Sequence, residues 1–299
     1  MAIRIGISGW RYAPWRGVFY PKGLTQRAEL EFAARCFASI EINGSFYSLQ
    51  SPDSYSTWHE ATPEDFVFAV KGPRYLTHIL RLRNLDKPLA NFLASGVLRL
   101  QAKLGPILWQ LPPTFRYDAD VVESFLASLP RSSAAALSIA RRRDIERMRG
   151  RSALSIDEDR PLRHAIEVRH DSFRDADFLA QLRRHNVALV VADTAGKWPY
   201  MEDVTADFVY IRLHGDAELY VSGYSEAALD RWAARIDAWS RGGEPADAER
   251  IGGPWAKHKR RDVYCYFDND AKVHAPFDAL ELMRRLGIAR WDDAPKRTR

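Results

Sequence analysis

The sequence contains little cysteine. Its 299 residues include only Cys36 and Cys265, which stand far apart and outside any CxxC or Cys/His ligand spacing. This scarcity suggests neither a disulfide framework nor a structural zinc site of the usual pattern. We therefore expect both thiols to be core residues.

Long apolar runs are also missing. No stretch approaches the roughly 18 apolar residues that span a bilayer. The opening "MAIRIGISGW" has no basic region followed by a long apolar run and a cleavage site. We therefore expect a soluble, cytoplasmic protein with no membrane partner.

Several motifs of nucleotide-binding and hydrolytic enzymes are absent. The turn after the first predicted strand reads "SGWRYAPWRG" and not GxGxxG, and the chain has no P-loop, no HxH or HExxH spacing and no convincing Ser/His/Asp arrangement. We expect no cofactor and no bound metal. A divalent ion gathered by His and carboxylate side chains from separate strands is the alternative that these absences leave open.

Acidic residues are fewer than basic ones, and the net charge of +5 leans basic. Much of the basic excess lies in residues 140–151, "ARRRDIERMRGR", and in the final "KRTR". The first segment has too many arginines for a core, so we predict a peripheral helix there. Such segments can contact nucleic acid, but no aromatic interleaving or recognised motif accompanies them, and nucleic acid is the less favoured partner.

What the chain does contain is an alternation of strand-like and helical segments. The eight predicted strands cover residues 3–8, 39–43, 66–71, 106–111, 164–169, 188–193, 208–214 and 263–268. The predicted helices cover residues 28–37, 88–104, 118–129, 175–185, 225–240 and 276–287. This count predicts an α/β fold, a single (β/α)₈ TIM-type barrel with an extra helical insertion between strands 4 and 5, within residues 131–160. We expect one domain over residues 1–290 and a basic tail over 291–299.

Polar side chains crowd the carboxyl ends of these strands. They are Ser8, Glu41, Asn43, Lys71, Gln110, Glu167, Arg169, Asp193, Arg212, His214 and Asp268. In a TIM barrel, catalytic groups come from these ends and the loops that follow them, so we expect one functional pocket at the barrel mouth. The loops add rings suited to stacking on a sugar or nucleobase, or to packing over the barrel: Trp10, Tyr12, Trp15, Phe46, Tyr47, Tyr75 and His78.

The fifth strand, in "HAIEVRHDSF", carries opposite charges at Glu167 and Arg169. Residues i and i+2 of a strand share a face, so both side chains point the same way. Glu41/Asn43 and Arg212/His214 repeat this spacing, and we expect all three pairs to face the barrel interior. The pair Glu167/Arg169 on its own is also consistent with a buried ion pair that only stabilises the fold.

Seven motifs, in this order, resemble those of the YecE-like family, a TIM-barrel domain of unknown function. They are "ISGWRYAPWRGVFYP", "EINGSFY", "FAVKGPRYLTH", "LGPILWQLPPTF", "EVRHDSF", "RLHG" and "YFDNDAKVHAPFDAL". The resemblance spans roughly residues 3–287 and implies the fold, but no reaction. Two positions depart from the family pattern, because Asp268 stands where the resemblance implies Asn and Phe173 where it implies Trp.

These observations favour an enzyme that uses acid/base chemistry on a small anionic or sugar- or nucleotide-containing substrate. We predict Glu41, Glu167 and His214 as catalytic residues, with Glu167 kept ionised by Arg169 and Glu41 in more apolar surroundings. The predicted binding residues are Trp10, Asn43, Tyr47, Lys71, His78, Gln110, Arg169, His170, Asp193, Arg212, Asp268 and Asn269. The alternative is a non-catalytic module that binds a nucleotide or nucleic acid.

Overall fold

A computed structural model describes residues 2–255, 260–291 and 294–296. Eight parallel strands pair in chain order and close into a barrel. The strands are β1 (Ile3–Ser8), β2 (Ser39–Ile42), β3 (Val67–Lys71), β4 (Leu104–Gln110), β5 (His164–Glu167), β6 (Ala188–Asp193), β7 (Phe208–Leu213) and β8 (Asp262–Phe267). The predicted (β/α)₈ TIM-type barrel is therefore confirmed.

Helices surround the strands. They are α1 (Glu29–Cys36), α2 (Gly44–Tyr47), α3 (Pro52–Glu60), α4 (Asp86–Ala94), α5 (Ala119–Ser128), α6 (Ser133–Ala140), α7 (Ala176–Arg184), α8 (Glu226–Ser240) and α9 (His274–Arg285). Side chains of Ser51, Asp118, Asp175 and Ser225 accept backbone N–H groups at the starts of α3, α5, α7 and α8. These caps satisfy donors that have no partner inside a helix. None of the helices in the described residues is long and apolar enough to cross a membrane.

The two faces of each strand enter different cores. One buried cluster, including Ala69, Ala165, Ala192, Tyr210 and Tyr266, fills the inside of the barrel. The alternate strand residues join a larger cluster between the barrel and its helices. This division fixes which polar strand-end residues point into the barrel.

Between β6 and β7 the alternation of strand and helix is interrupted. Residues 194–207 form no helix, although the structure describes all of them. Thr205 anchors this segment, because its Oγ1 accepts from Leu189 N at 2.7 Å and donates to Val187 O at 2.7 Å. The end of the connection is therefore held at the start of β6 by the Thr205 hydroxyl.

The insertion between β4 and β5 contains an extra helix within residues 131–160, as predicted. Helix α6 begins after Ser132, whose Oγ accepts from Ala135 N, and it ends at Ala140. The predicted helix over 140–151 is wrong, since turns follow α6. Asp144 explains part of this, because its Oδ1 accepts from Arg147 N and its own N–H donates to Asn91 Oδ1. Such local side-chain bonds compete with helical ones.

The single helix predicted over 88–104 is also wrong. Helix α4 ends at Ala94, and a separate 3₁₀ segment covers Val97–Lys103. Gly96 separates the two with φ of 108°, and a Cβ there would lie 2.5 Å from Pro52 Cα. A left-handed residue in close contact with another backbone ends the helix at this point.

The predicted basic tail, residues 291–299, lies partly outside the described residues, which include only 291 and 294–296 of it. Its first residue packs on the barrel, because the Trp291 ring lies 5.5 Å from that of Phe32 in α1.

Candidate active site

Strand register brings the polar strand ends to one level inside the barrel. Ser8 lies beside Glu41 across β1 and β2, and Gln110 lies beside Glu167 across β4 and β5. Glu41, Glu167 and Arg212 are fully buried. The predicted inward direction of the three i, i+2 pairs is therefore confirmed for this part of the barrel.

Arg212 occupies the centre of this cluster. Its Nη1 donates to Glu167 Oε2 at 2.7 Å, and its Nη2 donates to Asp268 Oδ2 at 2.8 Å. Glu41 receives two further hydrogen bonds from the same guanidinium. One arginine thus holds three carboxylates, from β2, from β5 and from the residue that follows β8. Its donors are used within the protein.

Glu41 does not lie in apolar surroundings, and that part of the prediction is wrong. Tyr210 Oη donates to Glu41 Oε2 at 2.6 Å, and Ser8 Oγ donates to Oε1. Asn43 Nδ2 donates to Ser8 Oγ at 2.9 Å, so Asn43 supports the same carboxylate from one step away. The inward-facing polar residues of β1, β2 and β7 surround Glu41.

Arg169 extends the network towards solvent. Its Nε donates to Glu167 Oε1 at 2.7 Å, and its Nη2 donates to Gln110 Oε1 at 2.9 Å. Its guanidinium lies 3.7 Å from the ring centroid of Trp198, which covers it from the β6–β7 connection. The predicted Glu167/Arg169 pair is therefore present, within a network that gives Glu167 a second cation.

The carboxylates next to the arginines are held ionised. Burial opposes the ionisation of Glu167, but Arg169 and Arg212 outweigh it and hold its pKa well below its usual range. For Asp268, burial is likewise outweighed by Arg212 and His214, and the pKa falls to about 2. These directions agree with the prediction that Glu167 stays ionised.

His214 lies beside this pair. Its Nδ1 is 3.2 Å from Asp268 Oδ2 without hydrogen-bond geometry, and its Nε2 is 3.4 Å from Arg212 Nη1. Burial and the repulsion of Arg212 lower its pKa, so the imidazole is neutral near pH 7.

Asp270 behaves in the opposite way to Asp268. Burial and the negative charge of Asp268 raise the pKa of Asp270 well above its ordinary value. Asp270 Oδ1 is enclosed and has no hydrogen-bond partner among the described residues. Tyr12 lies next to it, and burial together with Asp270 raises the pKa of that phenol. The pKa values of two carboxyl groups two residues apart are therefore shifted in opposite directions.

Lys71 and His78 belong to the β3 side of the mouth. Lys71 Nζ lies 4.3 Å from the centroid of the Phe46 ring, and burial with the repulsion of Arg212 lowers its pKa to about 8. The His78 ring lies 5.1 Å from the same phenyl ring. Burial and the charges of Arg74 and Arg169 lower the pKa of His78 to about 4.

Two cavities open at this end of the barrel. The smaller one, about 290 Å³, is lined by Trp10, Asn43, Gln50 and Trp58 together with nearby loop residues. The larger one, about 450 Å³, includes Tyr47 and Phe46 after β2, Tyr75 after β3, and Arg147 from the insertion. Tyr47 is 72% exposed, so its ring is available to a ligand.

Three predicted site residues lie elsewhere. Asp193 has the opposite strand parity to Ala192, which faces the barrel interior; its Oδ2 accepts from Tyr224 Oη at 3.1 Å, and it lines a separate cavity. His170 caps the short turn after β5, because its Nδ1 accepts from Ser172 N at 3.0 Å. Asn269 donates to Asp278 Oδ2 at 2.8 Å and so ties the end of β8 to α9.

Other residues of the site escaped the sequence reasoning. Tyr210 stands two positions before Arg212, so strand parity could have identified it. Asp270 stands two positions after Asp268, and this spacing could have identified it. Trp198 and Tyr220 come from long loops, and Tyr220 Oη accepts from Arg169 Nη2 at 3.4 Å. Nothing local in the sequence marks those two positions. Across the residues that the structure describes, no group of three or more His, Cys, Asp or Glu side chains could hold a metal ion.

Comparison with known proteins agrees with this architecture. The family model described as "Protein of unknown function DUF72" matches residues 4–299. The chain belongs to the DUF72 family. The YecE-like resemblance is therefore confirmed, and the DUF72 domain contains the whole cluster around Arg212.

Curated UPF0759 proteins match part of the chain. The UPF0759 protein YecE of Escherichia coli is 33% identical over 129 residues, which are 43% of this chain and 44% of that protein. The UPF0759 protein YunF of Bacillus subtilis is 30% identical over 118 residues, 38% of this chain and 41% of that protein. The matched region thus spans less than half the length of either relative.

Solved DUF72 structures share the fold over nearly the whole chain. A DUF72 family protein from Thermotoga maritima has a TM-score of 0.69 at 24% identity and covers 96% of this chain and 100% of its own. One from Enterococcus faecalis has a TM-score of 0.65 at 17% identity and covers 99% of each chain. At these identities the likeness concerns the fold alone.

Proposed function

We propose that this DUF72 protein is an enzyme that uses acid/base chemistry on a small polar substrate at the carboxyl end of the barrel. The observation that carries the proposal is the pair Asp268 and Asp270. Their environments push the two pKa values apart, which is how enzymes obtain an acid and a base from two carboxyl groups. In this proposal Asp268 is the base and Asp270 the acid.

Exposure supports Asp268 as the base. Among the three carboxylates on Arg212, its side chain is 15% exposed, whereas those of Glu41 and Glu167 are 0% exposed. A substrate can therefore approach Asp268, while the two glutamates balance the charge of Arg212 and keep its guanidinium in place. Neutral His214 lies next to Asp268, with Nδ1 3.2 Å from Oδ2.

The surroundings favour a substrate with a ring or sugar part and an anionic part. The smaller cavity offers the rings of Trp10 and Trp58 with the amides of Asn43 and Gln50, a combination suited to a sugar. The larger cavity offers Lys87 and Arg147 for an anionic group. No cofactor and no metal enter the proposed chemistry.

A ligand screen followed by turnover measurements tests the proposal. Phosphorylated sugars, nucleotides and carboxylates are screened by thermal shift on the wild-type protein, and hits are assayed for product by mass spectrometry. We expect Asp270→Asn to retain binding and to lose about 100-fold or more in turnover, as removal of a general acid does. Wild-type turnover in Asp270→Asn would contradict the proposed pair.

The second candidate is a non-catalytic module for a nucleotide or nucleic-acid end. The specific observation in its favour is the side of the larger cavity where the guanidinium of Arg147 lies 5.8 Å from the Tyr75 ring, near the exposed ring of Tyr47. Stacked rings and cations suit single-stranded nucleic acid. Binding without turnover that weakens steeply with salt, and that Tyr75→Ala abolishes, would favour this function over the enzyme.

A further inference from the structure

Lys71 ends β3, and its side chain enters the barrel on the same strand face as Val67 and Ala69. The residue is only 8% exposed, and among the described residues its Nζ makes no hydrogen bond and no ion pair. Its contact is the ring of Phe46. The carboxylates whose charges act on Lys71 are already paired with Arg212: Asp268, Glu41 and Glu167.

Lys103 shows how this chain treats a buried structural lysine. It is 6% exposed, and its Nζ donates to His59 O at 2.5 Å and to Thr62 O at 2.7 Å. Buried ammonium groups need such partners, because an unpaired charge in a protein interior is costly. Lys71 has the same burial without these acceptors, so its position is not explained by a structural role.

Burial and Arg212 favour the neutral amine of Lys71, with a pKa of about 8. At pH 7 about 9% of the side chain is then neutral, against about 0.04% for an ordinary lysine. A neutral amine is a nucleophile, and desolvation next to another cation is an established way to activate a lysine.

We propose that Lys71 is a nucleophile that forms an imine with a small aldehyde or ketone bound at the barrel mouth. The inference deepens the proposed function and rests on it, because the acids of the rim would exchange the protons that the reaction requires. The substrate class would then be carbonyl compounds.

The chemistry balances without an oxidant or reductant. The lone pair of Lys71 Nζ attacks the carbonyl carbon, and the carbonyl oxygen takes up a proton to give a carbinolamine. A second proton from solvent or from a rim acid converts the hydroxyl into departing water. Nζ loses its remaining protons to solvent or to a carboxylate, and a C=N bond replaces the C=O bond with release of one water molecule.

The cavity of about 450 Å³ adjoins Lys71 through Phe46, although Lys71 is not part of its lining. The Phe46 ring contacts Lys71 Nζ, and Phe46 is also part of the lining of that cavity. Lys71 Nζ is not among the enclosed and unpaired polar atoms of the described residues, unlike Trp10 Nε1 and Trp15 Nε1. In the proposal a small carbonyl compound reaches Lys71 from this cavity, past Phe46.

Reductive trapping tests the inference. The full chain is incubated at pH 7 with glycolaldehyde or pyruvate and cyanoborohydride, which reduces the imine to a stable adduct, and peptide mass spectrometry locates each adduct. We expect initial labelling of Lys71 to exceed that of Lys103 and of exposed Lys22 by on the order of 100-fold, with a midpoint near pH 8. We expect the fast labelling at this position to be lost in Lys71→Met and in Lys71→Arg. Circular dichroism checks that both variants keep the fold.

Labelling of Lys71 no faster than that of Lys22, or a fast phase that persists in Lys71→Met, would overturn the inference. The proposed function fails separately. If trapping at Lys71 is absent but turnover still depends on Asp270, the acid/base function stands and the imine does not. If Lys71 is trapped but Asp270→Asn retains wild-type turnover, the nucleophile stands and the proposed acid does not.

Discussion

Arg212 pairs with Glu41 through two hydrogen bonds inside the barrel, from Nε to Oε2 at 3.1 Å and from Nη2 to Oε1 at 2.8 Å. The planar guanidinium matches the carboxylate at both oxygens, and its remaining donors reach Glu167 and Asp268. Three carboxylates thus depend on one fully buried cation.

Removing Arg212 should cost far more stability than removing Arg169. Loss of one partner from a buried ion pair costs about 3 to 5 kcal/mol, and Arg212→Met leaves Glu41 and Asp268 without their cation. Arg169→Met leaves Glu167 paired with Arg212 at 2.7 Å, so we expect about 2 kcal/mol or less. Urea denaturation of both variants measures the difference, and equal midpoints would contradict the central role of Arg212.

The sequence was enough to predict the barrel because its signals are local. Alternating segments reveal strands and helices, and period two within "SIEIN" and "HAIEVR" reveals which charges share a face. In "ALVVAD" both faces are apolar, so the structure was needed to show that Asp193 alternates with the interior residue Ala192. Rules of this kind act within a few residues.

The remaining features depend on contacts between distant segments. The position of Trp198 over Arg169 and the break at Gly96 against Pro52 each involve residues far apart in sequence. Asp270 differs from Asp268 through burial and through the charge of its neighbour. Composition and spacing do not contain that information, because folding determines solvent access and distance.

Replacing Asp268 or Asp270 with Asn should change the stability of the fold in opposite directions. The folded-state pKa of Asp268 is about 2, below its unfolded value of 3.8, so its ionised form contributes about 2 kcal/mol above pH 4 that is lost as the pH falls towards 2. Asp268→Asn should therefore destabilise at pH 7. Asp270 has a raised folded-state pKa, so its protonation costs stability progressively as the pH rises above 4.

Asp270→Asn removes that cost. Its stability relative to the wild type should therefore increase between pH 4.5 and pH 7.5, while that of Asp268→Asn should not. Urea denaturation at pH 4.5 and pH 7.5 gives the difference in unfolding free energy between each variant and the wild type. A difference between Asp270→Asn and the wild type that is the same at both pH values would contradict a raised pKa of Asp270 in the folded protein.

Gly96→Ala should destabilise the fold by about 3 kcal/mol or more. The left-handed φ of 108° disfavours any side chain, and the new Cβ would lie 2.5 Å from Pro52 Cα at the start of α3. Gly253→Ala is the matched control, since a Cβ there meets nothing within 4 Å. Thermal denaturation compares the two, and equal melting temperatures would contradict the proposed contact.

The stability contributed by Lys71 should depend on pH in a defined window. Its pKa is about 8 in the folded protein and near 10.5 in the unfolded chain, so between these values the unfolded state holds a proton that the folded state has released. The free energy of unfolding therefore rises with pH across this window, by about 3 kcal/mol in total. Below pH 8 the folded protein carries the unpaired ammonium at full cost.

Lys71→Met has no proton to release at this position. It should be more stable than the wild type at pH 7, because an apolar side chain replaces a desolvated cation beside Phe46. The advantage should shrink steadily as the pH rises from 8 to 10.5, and taking the difference between the two proteins removes the contribution of buried tyrosines that both share. Urea denaturation along this pH series measures it, and a constant difference would mean that Lys71 keeps an ordinary pKa in the folded protein.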